Sequence, residues 1–167
     1  MLKIRSATPK DAFDIATINT LGWKTTYRGL VPDSILDNLS VTRERVQKWQ
    51  ETIKNAEIYM VAESEDGIVG YLSGGKTREP NVPYLYELYA LYIHPNFQRC
   101  GVGTALVKAF RKKIKNADFC VYALDGNMQG INFYKKLGGI RHPEFDCDGK
   151  AYGTVVHDVC LCFKGEK

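Results

Sequence analysis

Apolar residues along this chain recur in two rhythms, and the places where one gives way to the other predict the elements. "LKIRSA" (2–7) reads as a short strand. From Thr8, placed as N-cap, and Pro9 at the first helical position, "TPKDAFDIATINTLGWKTTY" keeps helical spacing through Ala12, Ile15, Ala16 and Ile18. "RGLVPDSILDNLS" interrupts with Gly29 and Pro32, and a second helix resumes over "VTRERVQKWQETIKN" through Val46, Trp49 and Ile53. "EIYMVAESEDGIVGYLSGGK" holds two apolar runs joined by Ser-Glu-Asp-Gly, the signature of a hairpin. "PYLYELYALYIHP" is an aromatic and branched run, read as a central strand ended by Pro95. Behind it Val102, Ala105, Leu106, Ala109, Phe110 and Ile114 line one helical face. "DFCVYAL" predicts a strand, and "NMQGINFYKKLGG" a helix stopped at Gly138 or Gly139. "IRHPEFDC" and "AYGTVVHDVCLCF" predict two closing strands around a polar turn, "DCDGK". The expected order, β-α-α-β-β-β-α-β-α-β-β, is that of one mixed α/β domain spanning residues 1–167.

Composition narrows the class without naming a function. The 167 residues are 44% hydrophobic and 25% charged, ordinary for a globular domain with a core of its own. No apolar run reaches the roughly 18 residues of a membrane helix. The N-terminus has neither the apolar stretch nor the small-residue cleavage site of a secretory signal, so a cytoplasmic protein is expected. The five cysteines (Cys100, Cys120, Cys147, Cys160, Cys162) form no C-x-x-C pair and no zinc-site spacing. They are expected as reduced thiols, with Cys160 and Cys162 on one strand face and no metal. A net charge of +4 is too mild to argue for nucleic acid and favours anionic small molecules.

The stretch carrying candidate chemistry is "HPNFQRCGVGTAL" (94–106), where Gly101 and Gly103 stand between a strand end and a helix start. Free N–H groups and the positive end of a helix dipole would hold a phosphate there, with Arg99 beside them. The turn has no lysine where a Walker A loop needs one, and Leu106 stands where the dinucleotide fingerprint has its third glycine. On glycine spacing alone, a tight strand-to-helix turn explains it equally well.

Gln98, Gly101 and Gly103 fit the Q/R-x-x-G-x-G/A pyrophosphate loop of the GNAT superfamily of acyl-CoA-dependent N-acetyltransferases, and "LYALYIHP" resembles that family's fourth strand. "NMQGINFYKKLGG" is similar to its N-x-x-A-x-x-F/L-Y-x-K-L-G-F segment through Asn127, Phe133, Tyr134, Lys136, Leu137 and Gly138. It departs at Gly130, where alanine is usual, and at Gly139, where phenylalanine is usual.

The resemblance implies a mixed, mostly antiparallel sheet splayed between strands 4 and 5 and flanked by about four helices. It implies acetyl-CoA as co-substrate, its pantetheine arm on the backbone of Leu91, Tyr92 and Ile93. Its pyrophosphate would lie in the N–H groups of Arg99, Cys100, Gly101, Val102, Gly103 and Thr104, near Gln98. Asn127 and Asn132 would add polar contacts. Tyr134 is implied as general acid for the departing thiolate and Glu87 as general base for the amine. By the period of two, Glu87 faces the side of Tyr89 and Leu91; Tyr122 and Asp125 stand near alternative positions for the base. Trp23 and Tyr27 are expected near the acceptor, a small-molecule or peptide amine.

His94, His142 and His157 have no pairing with a nucleophile. Lys108, Arg111, Lys112, Lys113 and Lys115 are expected as a solvated helix face. The C-terminal strands offer edges for a homodimer. Two alternatives stay open beside direct acetyl transfer: a non-catalytic acyl-CoA-binding sensor or subunit, and transfer of a longer acyl group.

Overall fold

The computed structural model describes residues 1–151 and 153–165, with Ala151 described by its backbone. The part of the predicted last strand that falls on Tyr152 lies outside them.

The chain runs β1 (Lys3–Ser6), α1 (Ala12–Thr26), α2 (Asp33–Asn38), α3 (Arg43–Asn55), β2 (Ile58–Ser64), β3 (Gly67–Lys76), β4 (Tyr86–Ile93), α4 (Val102–Lys113), β5 (Phe119–Leu124), α5 (Met128–Lys136), β6 (Ile140–Arg141), β7 (Cys147–Ala151) and β8 (Thr154–Phe163). One eight-stranded sheet has the order β1-β2-β3-β4-β5-β8-β6, with β7 also on β8. All pairs are antiparallel except β4–β5, which is parallel. The mixed α/β architecture is the one expected, with five α-helices among the described residues in place of about four. No helix among the described residues is long and apolar enough to cross a membrane.

Strand alternation divides the core between two sheet faces. Met60, Ala62, Leu72 and Leu88 pack with Leu106, Phe110 and Ile131 under α4 and α5. Tyr59, Val61 and Tyr71 pack with Ile15, Ile18 and Ile53 under α1 and α3. A third cluster gathers Cys120, Cys160 and Cys162 against Tyr84, the two latter sulfurs 3.7 Å apart. All five cysteines are free thiols.

Three local expectations differ from what forms. Pro9–Asp11 is a separate 3-10 turn, and the α-helix starts at Ala12. The Asp11 carboxylate accepts from the Thr8 N–H (2.7 Å), the Thr8 hydroxyl (3.1 Å) and bidentately from Arg5 (2.8 and 2.9 Å), tying the turn to β1. The interruption after Pro32 contains helix α2, because Leu36 is fully buried beside Val31 and Leu39, next to Trp23. Cys147 to Lys150 of "DCDGK", expected as a turn, belong to strand β7, while "IRHPEFDC" supplies the two residues of β6, a 3-10 turn and, at its end, Cys147 of β7. β7 exists because β8, ten residues long, has partners to spare beyond β5 and β6.

The two departures from the family pattern have steric causes. A Cβ at Gly139 would come 2.7 Å from the Phe163 ring, which fills the space a side chain would need. A Cβ at Gly130 would come 2.7 Å from Nδ2 of Asn127, whose Oδ1 caps α5 by accepting the Gly130 N–H at 3.0 Å.

Candidate active site

The site begins with a fault in the sheet. On β3, Ser73 pairs with Ala90 and Gly74 with Leu88, which leaves Tyr89 as an extra, bulged residue of β4. Across the other edge, β4 pairs with β5 only at Tyr86–Phe119, Glu87–Cys120 and Leu88–Val121. Beyond Leu88 the strands part, so the β5-facing backbone edge of Tyr89–Ile93 meets no strand among the described residues. An unpaired edge of this kind is a template for an amide-bearing guest.

The bulge also resets which side chain faces where. Leu88, Leu91 and Ile93 lie on the α4 side, and Ala90 and Tyr92 on the α1 side. Glu87 therefore shares its face with Tyr89, as the period of two predicts, but not with Leu91. One extra residue reverses the alternation.

A cleft of about 990 Å³ fills the splay. At one end the chain turns through Pro95–Phe97 into α4 with two left-handed residues, Arg99 (φ 61°) and Gly101 (φ 82°), on either side of Cys100. The first helical bond runs from the Ala105 N–H to the Gly101 carbonyl, and no side chain caps the helix. The N–H groups at its start are thus free to hold an anion. A non-glycine residue held left-handed costs about 1–2 kcal/mol, so Arg99 stores strain in the turn that leads into α4. Gln98 spans the opening: it donates to the Ile93 carbonyl (3.4 Å) and accepts from Gln129 of α5 (3.1 Å). Gly103 lets α5 close in, since a Cβ there would stand 3.1 Å from the Phe133 ring. The charged side chains lining the cleft are Arg99 and Lys136, with no carboxylate among them. That balance suits a polyanion.

Tyr134, carried on α5 and 8% exposed, lines the cleft. Its hydroxyl has no hydrogen-bond partner among the described residues. Burial, with the Tyr27 phenol nearby, pushes its pKa up, so it stays protonated at neutral pH. On the α1 side the Tyr27 and Tyr92 hydroxyls meet at 3.0 Å, and both line the cleft with Gly22 and Thr26.

Of the residues expected to bind cofactor, Leu91, Tyr92, Ile93, Gln98, Arg99, Gly101, Gly103, Thr104, Asn127 and Asn132 line this one cleft. Cys100 is exposed and donates to the Gln98 carbonyl (3.4 Å), and the Val102 side chain is buried in the core. Val102 thus has only backbone to offer a ligand. Trp23 stays outside the cleft, packed edge-on against Tyr27 at 4.5 Å beside Leu36 and Leu124.

Glu87 is 1% exposed and lies outside the cleft, covered by a residue that sequence reasoning missed. Its carboxylate accepts from the Arg78 N–H (2.9 Å), Nε (3.2 Å) and Nη2, while the guanidinium lies 4.2 Å over the Tyr89 ring. Arg78 belongs to no motif; only the path of the 77–85 segment brings it here. Gly22, also missed, did leave a signal, since a glycine inside a helical pattern marks a close approach.

Of the alternative positions for the base, Tyr122 lines the cleft, its hydroxyl buried without a hydrogen-bond partner among the described residues, whereas Asp125 lies outside it and accepts its neighbour Gly126's N–H (3.0 Å). His142 is half-buried and His157 exposed, their pKa values raised by hydrogen-bonded contacts to Glu144 (3.0 Å) and Asp148 (2.8 Å). Arg111 departs from the solvated-face expectation by lying over Phe119 and Phe163, whereas the four lysines are exposed. Burial pushes the Cys147 thiol up to about 11, and contact with Cys120 pushes Cys160 up to about 12, so neither is a ready nucleophile. Among the described residues no group of three or more His, Cys, Asp or Glu converges on a metal-sized site.

Comparison with known proteins agrees with this geometry. The model of the acetyltransferase (GNAT) family matches residues 21–139. The uncharacterized N-acetyltransferase YuaI of Bacillus subtilis (strain 168) is 35% identical over 108 residues, 64% of this chain and 61% of YuaI. The chain thus spans about three-fifths of that relative's length. The probable N-acetyltransferase Rv2775 of Mycobacterium tuberculosis is 24% identical over 155 residues, 90% of this chain and 83% of the relative. The PaiA N-acetyltransferase of Thermoplasma acidophilum, solved in complex with coenzyme A, has a TM-score of 0.73 at 18% identity and covers 99% of both chains. YncA of Salmonella typhimurium, a putative acetyltransferase solved with its cofactor acetyl-CoA, has a TM-score of 0.69 at 17% identity, over 100% of this chain and 95% of that one. These two likenesses are of fold.

Proposed function

Since the chain belongs to the GNAT family of acetyltransferases, we propose that residues 1–167 form one catalytic domain that moves the acetyl group of acetyl-CoA to a primary amine by direct attack in a ternary complex. The observation that carries this reading is the wedge: an unpaired strand edge leads into an uncapped helix start, with an unpartnered tyrosine between them. The pantetheine amides bond the free edge of β4 at Leu91–Ile93. The pyrophosphate sits on the N–H groups from Arg99 to Thr104, its charge balanced by Arg99 and Lys136. Tyr134, neutral at working pH, gives its proton to the thiolate as the C–S bond breaks.

The acceptor arrives as an ammonium, with a pKa of about 10.4 for an alkylamine, and must lose a proton before it attacks. Glu87 takes that proton in this reading, but not in the arrangement seen, where three Arg78 donors hold its carboxylate. The Arg78 side chain is 61% exposed, and in this reading it leaves Glu87 and swings outward when the acceptor docks. Its guanidinium stands where a cationic acceptor would dock, and the acceptor's ammonium takes its place. No cysteine is needed, in keeping with the raised thiols of Cys147 and Cys160.

The test is release of free thiol from acetyl-CoA across a panel of small amines and peptides. Tyr134→Phe should lower kcat by about a hundredfold, the lower end of what a general acid contributes, with the acetyl-CoA Kd unchanged. Full kcat in that variant sinks the assignment of the acid. Tight acetyl-CoA binding without turnover on any amine would make the protein a sensor instead.

A further inference from the structure

We infer that Tyr92 and Tyr27 build a rigid end wall for the acyl group and restrict the donor to acetyl-CoA over longer acyl-CoAs. The inference rests on the proposed acyl-CoA reading of the cleft.

Tyr92 leaves β4 on the α1 side and slides beneath the helix at Gly22. A Cβ at Gly22 would come 2.5 Å from the Tyr92 ring, so any other residue there would push the ring out into the cleft. On its inner face Tyr92 stacks on Tyr71 (centroids 5.6 Å apart, planes at 27°), and Tyr71 stacks on Tyr59 (5.8 Å, 20°). Tyr71 is itself pinned: its hydroxyl accepts from Asn19 (2.8 Å), whose Oδ1 accepts from Arg45 (2.8 Å). The outer end of Tyr92 is tied by the 3.0 Å contact to the Tyr27 hydroxyl, and the Tyr27 ring is braced edge-on by Trp23. A ring held by core packing on one face and a hydrogen bond at its tip has no low-energy rotamer to retreat into.

This wall stands beside the reaction centre. Tyr27 and Tyr92 line the same cleft as Tyr134. If Tyr134 addresses the sulfur, the acyl carbons run past it toward the two hydroxyls. An acetyl methyl ends there; further methylenes meet phenol rings that cannot move. A close-fitting apolar pocket discriminates by about 10–200-fold for one methylene.

Titration calorimetry of free CoA, acetyl-CoA, propionyl-CoA and butyryl-CoA tests this without knowledge of the amine. The native protein should bind butyryl-CoA at least tenfold more weakly than acetyl-CoA. Tyr27→Ala and Tyr92→Leu, which open the wall from its two sides, should each bring that ratio within about threefold, and Tyr27→Ala, which lies outside the residues that hold the CoA arm, should leave the Kd for free CoA unchanged. Two variants are used so that failure of one to fold leaves the other to decide, and unchanged free-CoA binding reports an intact cleft. Equal acetyl and butyryl affinities in the native protein would overturn the inference alone, as would a ratio that neither folded variant alters. Absence of any CoA binding by the native protein would overturn the cofactor reading together with the inference.

Discussion

Gly101→Ala separates the cost of a left-handed residue from the cost of crowding a ligand, because the chain contains a matched control. Gly101 in the α4 turn has φ 82°, and Gly67 in the β2–β3 hairpin has φ 99°. At neither position would an added Cβ meet any protein atom within 4 Å. The protein's own cost of alanine is therefore the same at both: about 1 kcal/mol for the left-handed backbone. For a chain of this length that is a fall in Tm of about 2–4 °C. The two sites differ in what the empty space is for. Gly67 faces solvent beyond a hairpin, whereas Gly101 lines the cleft at an uncapped helix start. If the pyrophosphate lies there, a methyl group displaces one phosphate oxygen from a backbone N–H. Loss of one such charge-assisted bond, about 1.5 kcal/mol, is about tenfold in Kd. Thermal denaturation without ligand should give equal shifts for the two variants. Calorimetry with acetyl-CoA should show tenfold weaker binding for Gly101→Ala and native affinity for Gly67→Ala. Native affinity in Gly101→Ala would refute the placement of the pyrophosphate against this turn.

Arg99→Gly relieves the other left-handed residue of the same turn (φ 61°); it should raise Tm in urea or thermal melts while weakening acetyl-CoA binding, since a cation of the cleft is lost. Asp11→Asn should cost about 2 kcal/mol at pH 7, because the Arg5 guanidinium and the Thr8 donors hold the Asp11 carboxyl down at about 2, nearly two units below its ordinary value. A depressed carboxyl stabilises above its unfolded pKa, so urea melts should show the native advantage intact above about pH 4 and lost as pH falls toward 2. Arg78→Ala strips the guanidinium from a carboxylate that is 1% exposed and should cost about 2 kcal/mol, below the range for a fully buried pair because the Arg78 N–H remains. The double variant with Glu87→Gln should recover at least half in chemical denaturation; an additive double variant would mean that the pair is not coupled.

Elements whose side-chain period matches their length were legible along the chain. α4 and the β2–β3 hairpin needed only local spacing and a turn signal, and the glycine turn, the Asn127 cap and the Tyr134 helix followed from short motifs. Illegible were the features created by partners distant in sequence. β7 reads as a polar turn because Asp148, Gly149 and Lys150 have no strand pattern, yet β8 leaves them an edge to pair with. α2 is too short for its period to show and is held by the burial of Leu36. The bulge at Tyr89 turns on a register shift against Gly74 that no reading of β4 alone contains.

The same division runs through the site. The residues proposed to hold anionic and amide groups could be named from the sequence because backbone would do the holding, and glycine spacing, a strand run and a helix start are local properties. Ten of the twelve expected cofactor residues line one cleft for that reason. Side-chain chemistry was decided only in three dimensions. The bulge chose the face on which Glu87 lies, a loop without a motif delivered Arg78 to cover it, and Gly22 on α1 admitted Tyr92 to within 3.0 Å of the Tyr27 hydroxyl. Local sequence dictates where the main chain is free to bind; only packing between elements far apart in the chain dictates which side chains meet there, and in what state of charge.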